Sequence, residues 1–482
     1  MAHDAENVGW LPALMCYVQL AILMAFGHTR EFLGGIFGTS TPTEKTKRGY
    51  ARLLVAFEDF YIKRIYHRFE HAFNRPVTGT PGAYIDVVER NAKYGDKNFL
   101  ESTGNVRHCL NLGSYNYLGF ADDWMNTCSK DVLDAVENFG LASSNSAMEF
   151  GTTTVHEELE KAVAKYVGKP AAIVYNMGYA TNSTSIPALM GKGSLIISDS
   201  LNHNSIVNGA RASGATVATF RHNDPQHLDR VLRSKIVDGH PHTRRAWTKI
   251  LVMVEGIYSM EGEIVDLRAI VNVAKKYKAY IYVDEAHSIG ALGKTGRGVC
   301  EYCNVDPSEI DILMGTFTKS FGAMGGYVAA SEEIISFMRG SSAGANYSTS
   351  LSPVIATQVL TALRIIDTTE LGKQKIASLR ENSNYFRQKL NEMGLVTLGD
   401  FDSPVIPVMI YSMSKIGEFS HECFKRNLAV VTVGYPATPL LLARVRFCVS
   451  AAHTRADIDD ALKKIEEVAT ICHVRFNKSW LG

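Results

Sequence analysis

KILVMVEG at Lys249–Gly256, AYIYVDEAH at Ala279–His287 and DILMGTFTKSFGAMGGY at Asp311–Tyr327 decide the fold. Each opens on an apolar run too short for a helix and ends on polar residues or glycine. Such runs read as strands buried on both faces. Working outward, AAIVYN at Ala171–Asn176, SLIISD at Ser194–Asp199 and ATVATF at Ala215–Phe220 repeat the pattern, with helical stretches between them. Alternation of this kind predicts an α/β architecture with a mostly parallel central sheet. Open parallel sheets bind ligands beyond the carboxyl ends of their strands, which is where Asp199, Glu255, Asp284 and Thr316 fall. The reading therefore expects these four polar groups to converge on one edge.

Beyond about residue 355 the pattern changes to a long helical stretch followed by SPVIPVMIY and VRFCVSA, predicting a smaller C-terminal α+β domain. The expected division is 1–49 as a membrane-anchoring segment and linker, 50–115 as an arm contributing to the small domain, 116–355 as the large ligand-binding domain and 356–482 as the small domain. The 50 Lys and Arg nearly balance the 49 Asp and Glu, which removes the basic footprint a nucleic-acid binder needs. Eight scattered cysteines are too few for a disulfide scaffold and suit a reducing compartment. The stretch Trp10–Phe26 is uncharged and close to the shortest length that spans a bilayer, so it predicts a segment that crosses a membrane or lies on it. Asp4 and Glu6, with no Lys or Arg before residue 10, argue against a cleaved signal peptide. FLGGIFGTSTPT at 32–43 reads as a linker. Arg30, Lys45, Lys47 and Arg48 after the segment place the body in the cytosol if it spans.

The chemistry concentrates at three strand ends. Lys319 sits just past an apolar strand among Thr316, Thr318, Ser320 and several glycines, and desolvation there would favour the neutral amine that forms a Schiff base. Asp284, directly after YIYV, is a carboxylate in need of a cation, and His287 follows three residues later. SDSLNHNSIVNGAR adds Asp199 and His203. A lysine, an aspartate and two histidines so disposed match an enzyme holding pyridoxal phosphate better than a metal site or a Ser/His/Asp triad. The Cys300–Cys303 pair has metal-ligand spacing but no second pair, so no metal is expected. His156 reads as part of a capping box from Thr154 to Glu157.

NYLG at Asn116–Gly119, GTTTVHEELE, NMGYATNS, SDSLNHNSI, VEGIYSMEG, VDEAHSIGALG and GTFTKSFG, in that order, resemble the α-oxoamine synthases, a fold-type I pyridoxal-phosphate family. Within that family, DFYIKRIYHRF, LNHNSIVNGARASGAT, DSPVIPVMIY and PATPLLLARVRFCVSAAHT are similar to the lysine-bearing subunits of eukaryotic serine palmitoyltransferases, from about residue 50 to residue 475. The resemblance implies an aspartate aminotransferase-like fold in which Lys319 carries the cofactor and later moves the α-proton. It implies that Asp284 holds the pyridinium, His203 stacks on the ring, and Ser259 and His287 lie near the phenolic oxygen, with His287 also polarising the acyl thioester. Gly178, Tyr179, Thr316 and Thr318 match cofactor-cradling positions, with a helix expected to start near Tyr179. Arg446 matches the arginine that grips the amino-acid carboxylate, with Asn116 close by. Tyr347, Ser348 and Thr349 match a stretch that approaches the neighbouring subunit's cofactor.

The implied activity is decarboxylating condensation of L-serine with palmitoyl-CoA to 3-oxosphinganine, the first step of sphingolipid synthesis. The implied setting is the endoplasmic reticulum membrane with the catalytic domain facing the cytosol, and the implied partners are a lysine-lacking subunit in a heterodimer, small regulatory subunits and membrane lipid. The alternatives are an α-oxoamine synthase acting on glycine or alanine, and a non-catalytic scaffold subunit, against which Lys319 and Asp284 argue. One position departs from the pattern: Ala147 in SSNSAMEFGT stands where relatives carry arginine.

Overall fold

The computed structural model describes residues 10–37, 50, 70–93, 96–435 and 437–477. The DFYIKRIYHRF motif and the linker beyond Phe37 lie outside them. Strands β1 (Val77–Thr78), β2 (Tyr84–Lys93) and β3 (Asp96–Asn111) form an antiparallel meander. The central sheet follows with β4 (Ala171–Tyr175), β5 (Leu195–Asp199), β6 (Thr216–Phe220), β7 (Ile250–Glu255), β8 (Tyr280–Asp284), β9 (Ile312–Thr316) and β10 (Gly326–Ala330). Their order is β4-β10-β9-β8-β7-β5-β6, with β10 antiparallel to both neighbours and the other pairs parallel. The C-terminal strands β11 (Val405–Met409), β12 (Leu428–Ala429), β13 (Val431–Val433) and β14 (Arg444–Cys448) divide between two sheets. Order β11-β14-β13 makes the small sheet, whereas β12 adds in parallel to β3, so the arm and the C-terminal region share a sheet.

All six sequence runs are strands, and they carry little alternation because helices cover both sheet faces. Every residue of β5, β9 and β10 is buried. The helices that matter to the site are α1 (Trp10–Phe37), α2 (Thr154–Val167), α3 (Gly178–Leu189) and α4 (Asn204–Ala212). Hydrophobic cores lie on both faces of the central sheet, one through Leu195, Val252, Ile281 and Leu313 and the other through Ile196, Leu251, Tyr282 and Met314, and a further core fills the C-terminal region through Ile406, Phe419, Phe447 and Ile465.

The N-terminal expectation changes in two ways. Helix α1 runs on through FLGGIF to Phe37, so that stretch is helical and not linker. Among the described residues no helix is long and apolar enough to cross a membrane. Instead α1 is seated on the C-terminal region: the Gln19 side-chain carbonyl accepts from the hydroxyls of Ser412 at 2.8 Å and Ser414 at 2.9 Å. Trp10, Met15, Val18, Ile22 and Phe26 face outward. The capping box of α2 also lies one residue earlier than the sequence suggested: Thr153 is the N-cap and His156 the N3 partner, with Nδ1 accepting from the Thr153 amide at 3.1 Å.

Candidate active site

The parallel register brings Glu255 and Asp284 side by side at the carboxyl ends of β7 and β8, with Thr316 ending β9 two strands from Glu255. Asp284 is buried, and a buried carboxylate needs donors. It has two: Oδ1 accepts from the Ala286 amide at 2.8 Å, and Oδ2 from Asn182 Nδ2 at 2.7 Å. The Asn182 amide, itself on α3, also donates to Ser205 at 3.0 Å and accepts from the Tyr282 hydroxyl at 2.7 Å. Asn182 lies within the NMGYATNS motif. Its signal was there, since Thr181, Asn182 and Ser185 put polar side chains on the buried face of α3.

Glu255 accepts from the backbone amide of His203, and burial followed by the Asp284 charge pushes its carboxyl well above the usual range. That contact fixes His203 as the N-cap of α4, with Nδ1 accepting from the Ser205 amide at 3.2 Å. Burial lowers the pKa of His203, with Asp284 pulling the other way and Lys319 adding to the fall. A neutral ring with one nitrogen committed to the cap is suited to lying flat on an aromatic cofactor. Asp199 does not join this group. It turns to the opposite side of its strand end and pairs with His222, 2.9 Å away.

Lys319 follows β9, half-buried. Loss of water around its amine brings the pKa down to about 8; Asp284 and Glu255 resist the change and Arg446 reinforces it. Its Nζ lies 5.7 Å from the ring centroid of Tyr115, and the Arg446 guanidinium lies 4.9 Å from the same ring. Arg446, on β14, is buried, donating from Nη1 to the Ser259 carbonyl at 3.3 Å and from Nη2 to the Tyr115 hydroxyl. Its Nε is buried without a partner. An unmatched guanidinium donor beside a lysine calls for an anion, and a carboxylate is the group whose geometry suits it. His287 is buried with Nδ1 2.8 Å from the Tyr117 hydroxyl. Burial first, then Lys319 and Arg446, hold it well below its ordinary pKa, so it is neutral at pH 7.

Helix α3 starts at Gly178, one residue before the expected start, and its N-cap Met177 makes no side-chain capping bond. The Gly178 position is close against β9: a Cβ there would stand 2.9 Å from Thr316 Cγ2. The hydroxyl of Thr318 donates to that of Thr316 at 3.1 Å, and Tyr179 is partly exposed with its hydroxyl taking up Asn208. Free amides at a helix start beside two hydroxyls make a cradle for a phosphate. Asn116 is buried between Tyr115 and Tyr117, its amide donating to the Pro81 carbonyl at 3.2 Å and accepting from the Ala121 amide at 3.3 Å. Its neighbour Tyr115, which the sequence reading passed over, reaches Arg446. Cys300 is buried and Cys303 donates to the Val265 carbonyl at 3.6 Å; burial raises the pKa of both thiols.

A Schiff-base amine at about pH 8, a carboxylate presented by two donors, a stacking histidine and a phosphate cradle together fit pyridoxal phosphate. The model of the aminotransferase class I and II family matches residues 107–465. Over 473 residues the chain is 52% identical to long chain base biosynthesis protein 2b of Arabidopsis thaliana, covering 98% of this chain and 96% of that protein. It is 49% identical to serine palmitoyltransferase 2 of Dictyostelium discoideum, covering 99% and 97%. Among solved structures, a lysine-to-alanine variant of serine palmitoyltransferase from S. paucimobilis with a bound pyridoxal phosphate–myriocin aldimine superposes with a TM-score of 0.76. That structure is 28% identical and covers 88% of this chain and 100% of its own. The chain belongs to the serine palmitoyltransferase, or long-chain-base, branch of the class I and II aminotransferase family, with the fold-type I architecture of that family.

Proposed function

We infer that this chain is the lysine-bearing subunit of a serine C-palmitoyltransferase, an acyltransferase that uses pyridoxal 5'-phosphate to condense L-serine with palmitoyl-CoA. The products are 3-oxosphinganine, carbon dioxide and free CoA, so every atom of both substrates is accounted for once the solvent proton that joins the product carbon after decarboxylation is included. The observation that carries the reading is Lys319: a desolvated amine with a pKa near 8, set among Asp284, Glu255 and Arg446. When bound, the cofactor supplies the electron sink that makes a carbanion at the serine α-carbon accessible.

The chain's own residues do the rest. Lys319 would hold the cofactor through its amine and would serve as the base for the serine α-proton, since a substantial fraction of the amine is neutral near pH 8. Asp284 holds the proton on the pyridine nitrogen, positioned by Asn182. His203 packs on the ring, and Gly178, Tyr179, Thr316 and Thr318 take the phosphate. Arg446 grips the serine carboxylate with the donor it keeps free, which orients the α-carbon bond toward Lys319. His287, neutral, donates to the thioester carbonyl as negative charge builds there, and Ser259 stands on the same side.

The chain works in the endoplasmic reticulum membrane with its catalytic body toward the cytosol, paired with a lysine-lacking subunit and with small regulatory subunits. The outward apolar side chains of α1 support contact with lipid by a helix that lies on the surface. The test is product formation from labelled L-serine and palmitoyl-CoA with the lysine-lacking subunit present. A long-chain 3-keto base that vanishes in Lys319→Ala is expected; no such product from protein with cofactor demonstrably bound would overturn the reading.

A further inference from the structure

Behind the lysine cluster lies a second set of buried charges. His222, in the turn after β6, stands between two carboxylates, with Nδ1 2.9 Å from Asp199 and Nε2 3.0 Å from Glu263. Its ring meets Tyr258 edge-on with centroids 4.3 Å apart, and the Tyr258 hydroxyl bonds to Asp199. Carboxylates accept and do not donate, so an imidazole that serves two of them carries both protons. Burial opposes that charge, but the bonds to Asp199 and Glu263 outweigh it and hold the pKa up at about 10.

Glu263 belongs to a tight loop from Ile257 to Ile264. The loop closes on itself through an antiparallel bridge between those two residues and hydrogen bonds Tyr258 N to Glu263 O at 3.0 Å and Gly262 N to Tyr258 O at 2.7 Å. Its other side faces β14. There the Met260 carbonyl accepts from Arg444 at 2.7 Å, Glu261 pairs with Arg444 at 3.2 Å, and the Ser259 carbonyl accepts from Arg446. The loop is thus held from the large sheet by His222 and from the small sheet by Arg444, and it delivers two of the three acceptors that orient the Arg446 guanidinium, the Ser259 carbonyl and the Met260 sulfur at 3.8 Å, the third being the Tyr115 hydroxyl.

We propose that His222 is a positioning residue for amino-acid binding: its bridge between Asp199 and Glu263 anchors the Ile257–Ile264 loop, and the Ser259 carbonyl of that loop aims Arg446 at the substrate carboxylate. The inference rests on the reading of Arg446 as the carboxylate grip. Without the imidazolium, two buried carboxylates face each other unpaired and the loop moves to separate or hydrate them. Arg446 then keeps the Tyr115 hydroxyl and loses the two acceptors that the loop supplies.

The experiment is L-serine titration of the holoenzyme, followed by the cofactor absorbance change, for His222→Gln, Glu263→Gln and Arg446→Lys. Cofactor content and the KM for palmitoyl-CoA are measured alongside. The two loop-anchor variants are expected to weaken serine binding by roughly tenfold, about the loss of one well-aligned charge-assisted bond, while cofactor content and the palmitoyl-CoA KM hold. Glu263→Gln keeps the His222–Asp199 pair and is the informative variant if His222→Gln does not fold. Unchanged serine affinity in Glu263→Gln or in folded His222→Gln, with Arg446→Lys weakened, overturns the proposal alone. Unchanged affinity in Arg446→Lys overturns the reading of the site beneath it. Loss of folded protein or cofactor with normal serine affinity in what remains assigns His222 a purely structural role and also overturns the proposal.

Discussion

Replacing Asn182 with leucine tests how Asp284 is held. The side chain is almost fully buried, as are Asp284, Ser205 and Tyr282 around it. Leucine has the same branching and heavy-atom count but bulkier methyl ends, so the change removes polar contacts and leaves no cavity. The bond to the Asp284 carboxylate, 2.7 Å long, is of the charge-assisted kind worth about 1.5–3 kcal/mol. The Tyr282 hydroxyl loses its 2.7 Å acceptor, but Ser185 lies within reach, so the lower end of the orphaning cost applies, about 1 kcal/mol. The total is about 2.5–4 kcal/mol. A chain of this length has an unfolding entropy that makes each kcal/mol worth about 1 °C, so the expected fall in Tm is about 2.5–4 °C. Tyr282→Phe alone should cost about 1 °C, and the double variant should melt about 1 °C above the sum of the two losses, because the orphaned hydroxyl is gone. Scanning calorimetry of the holoenzyme and the three variants decides it. If Asn182→Leu melts within about 1 °C of the parent, the amide does not stabilise the carboxylate and the account of Asp284 fails.

In cofactor-stripped protein, modification of Lys319 by an amine reagent should rise with a midpoint near pH 8, and Asp284→Asn should move that midpoint lower, because the Asp284 charge favours the ammonium; mass-spectrometric labelling against pH reads it, and an upward shift contradicts the electrostatics. Glu285 is buried with its carboxyl pushed up to about 7, mainly by burial. The folded state therefore holds its proton more tightly than the unfolded state, and stability falls as pH rises from about 4.5 to about 7 by up to about 3 kcal/mol; Glu285→Gln should flatten that slope and raise Tm at pH 8, and a Tm that drops instead counts against it. Gly178→Ala drives a methyl into Thr316, a stiff β-branched residue, so about 1–3 kcal/mol of overpacking falls on the phosphate cradle; equilibrium binding should show weaker pyridoxal phosphate retention with the core otherwise intact.

The strands were legible because doubly covered strands are uninterrupted apolar runs, and their order along the chain placed Lys319, Asp284 and His203 at one sheet edge. Asp199 shows the limit of that logic. It ends β5 as Asp284 ends β8, yet only the direction of the side chain, set by His222 and the Asn223 amide, separates a structural carboxylate from one in the site. Asn182 and Tyr115 act through partners far along the chain, 102 residues for Asn182 to Asp284 and 331 for Tyr115 to Arg446, and no local pattern encodes such pairs.

Arg446 ties substrate binding to the state of the base. Its charge is one of the terms that keep Lys319 near pH 8, and its Nε is the donor left open for a carboxylate. A serine carboxylate seated there cancels part of that charge, so the pull that Arg446 exerts on the Lys319 amine weakens when substrate arrives. The amine then becomes a stronger base, having been a readily displaced, less basic amine before. Asp284 and Glu255 act on Lys319 in the opposite sense throughout, and burial followed by the Asp284 charge pushes the Glu255 carboxyl well above its usual range. The same three groups thus serve two successive demands on one nitrogen, and the loop anchored by His222 determines whether Arg446 is in place to make the change.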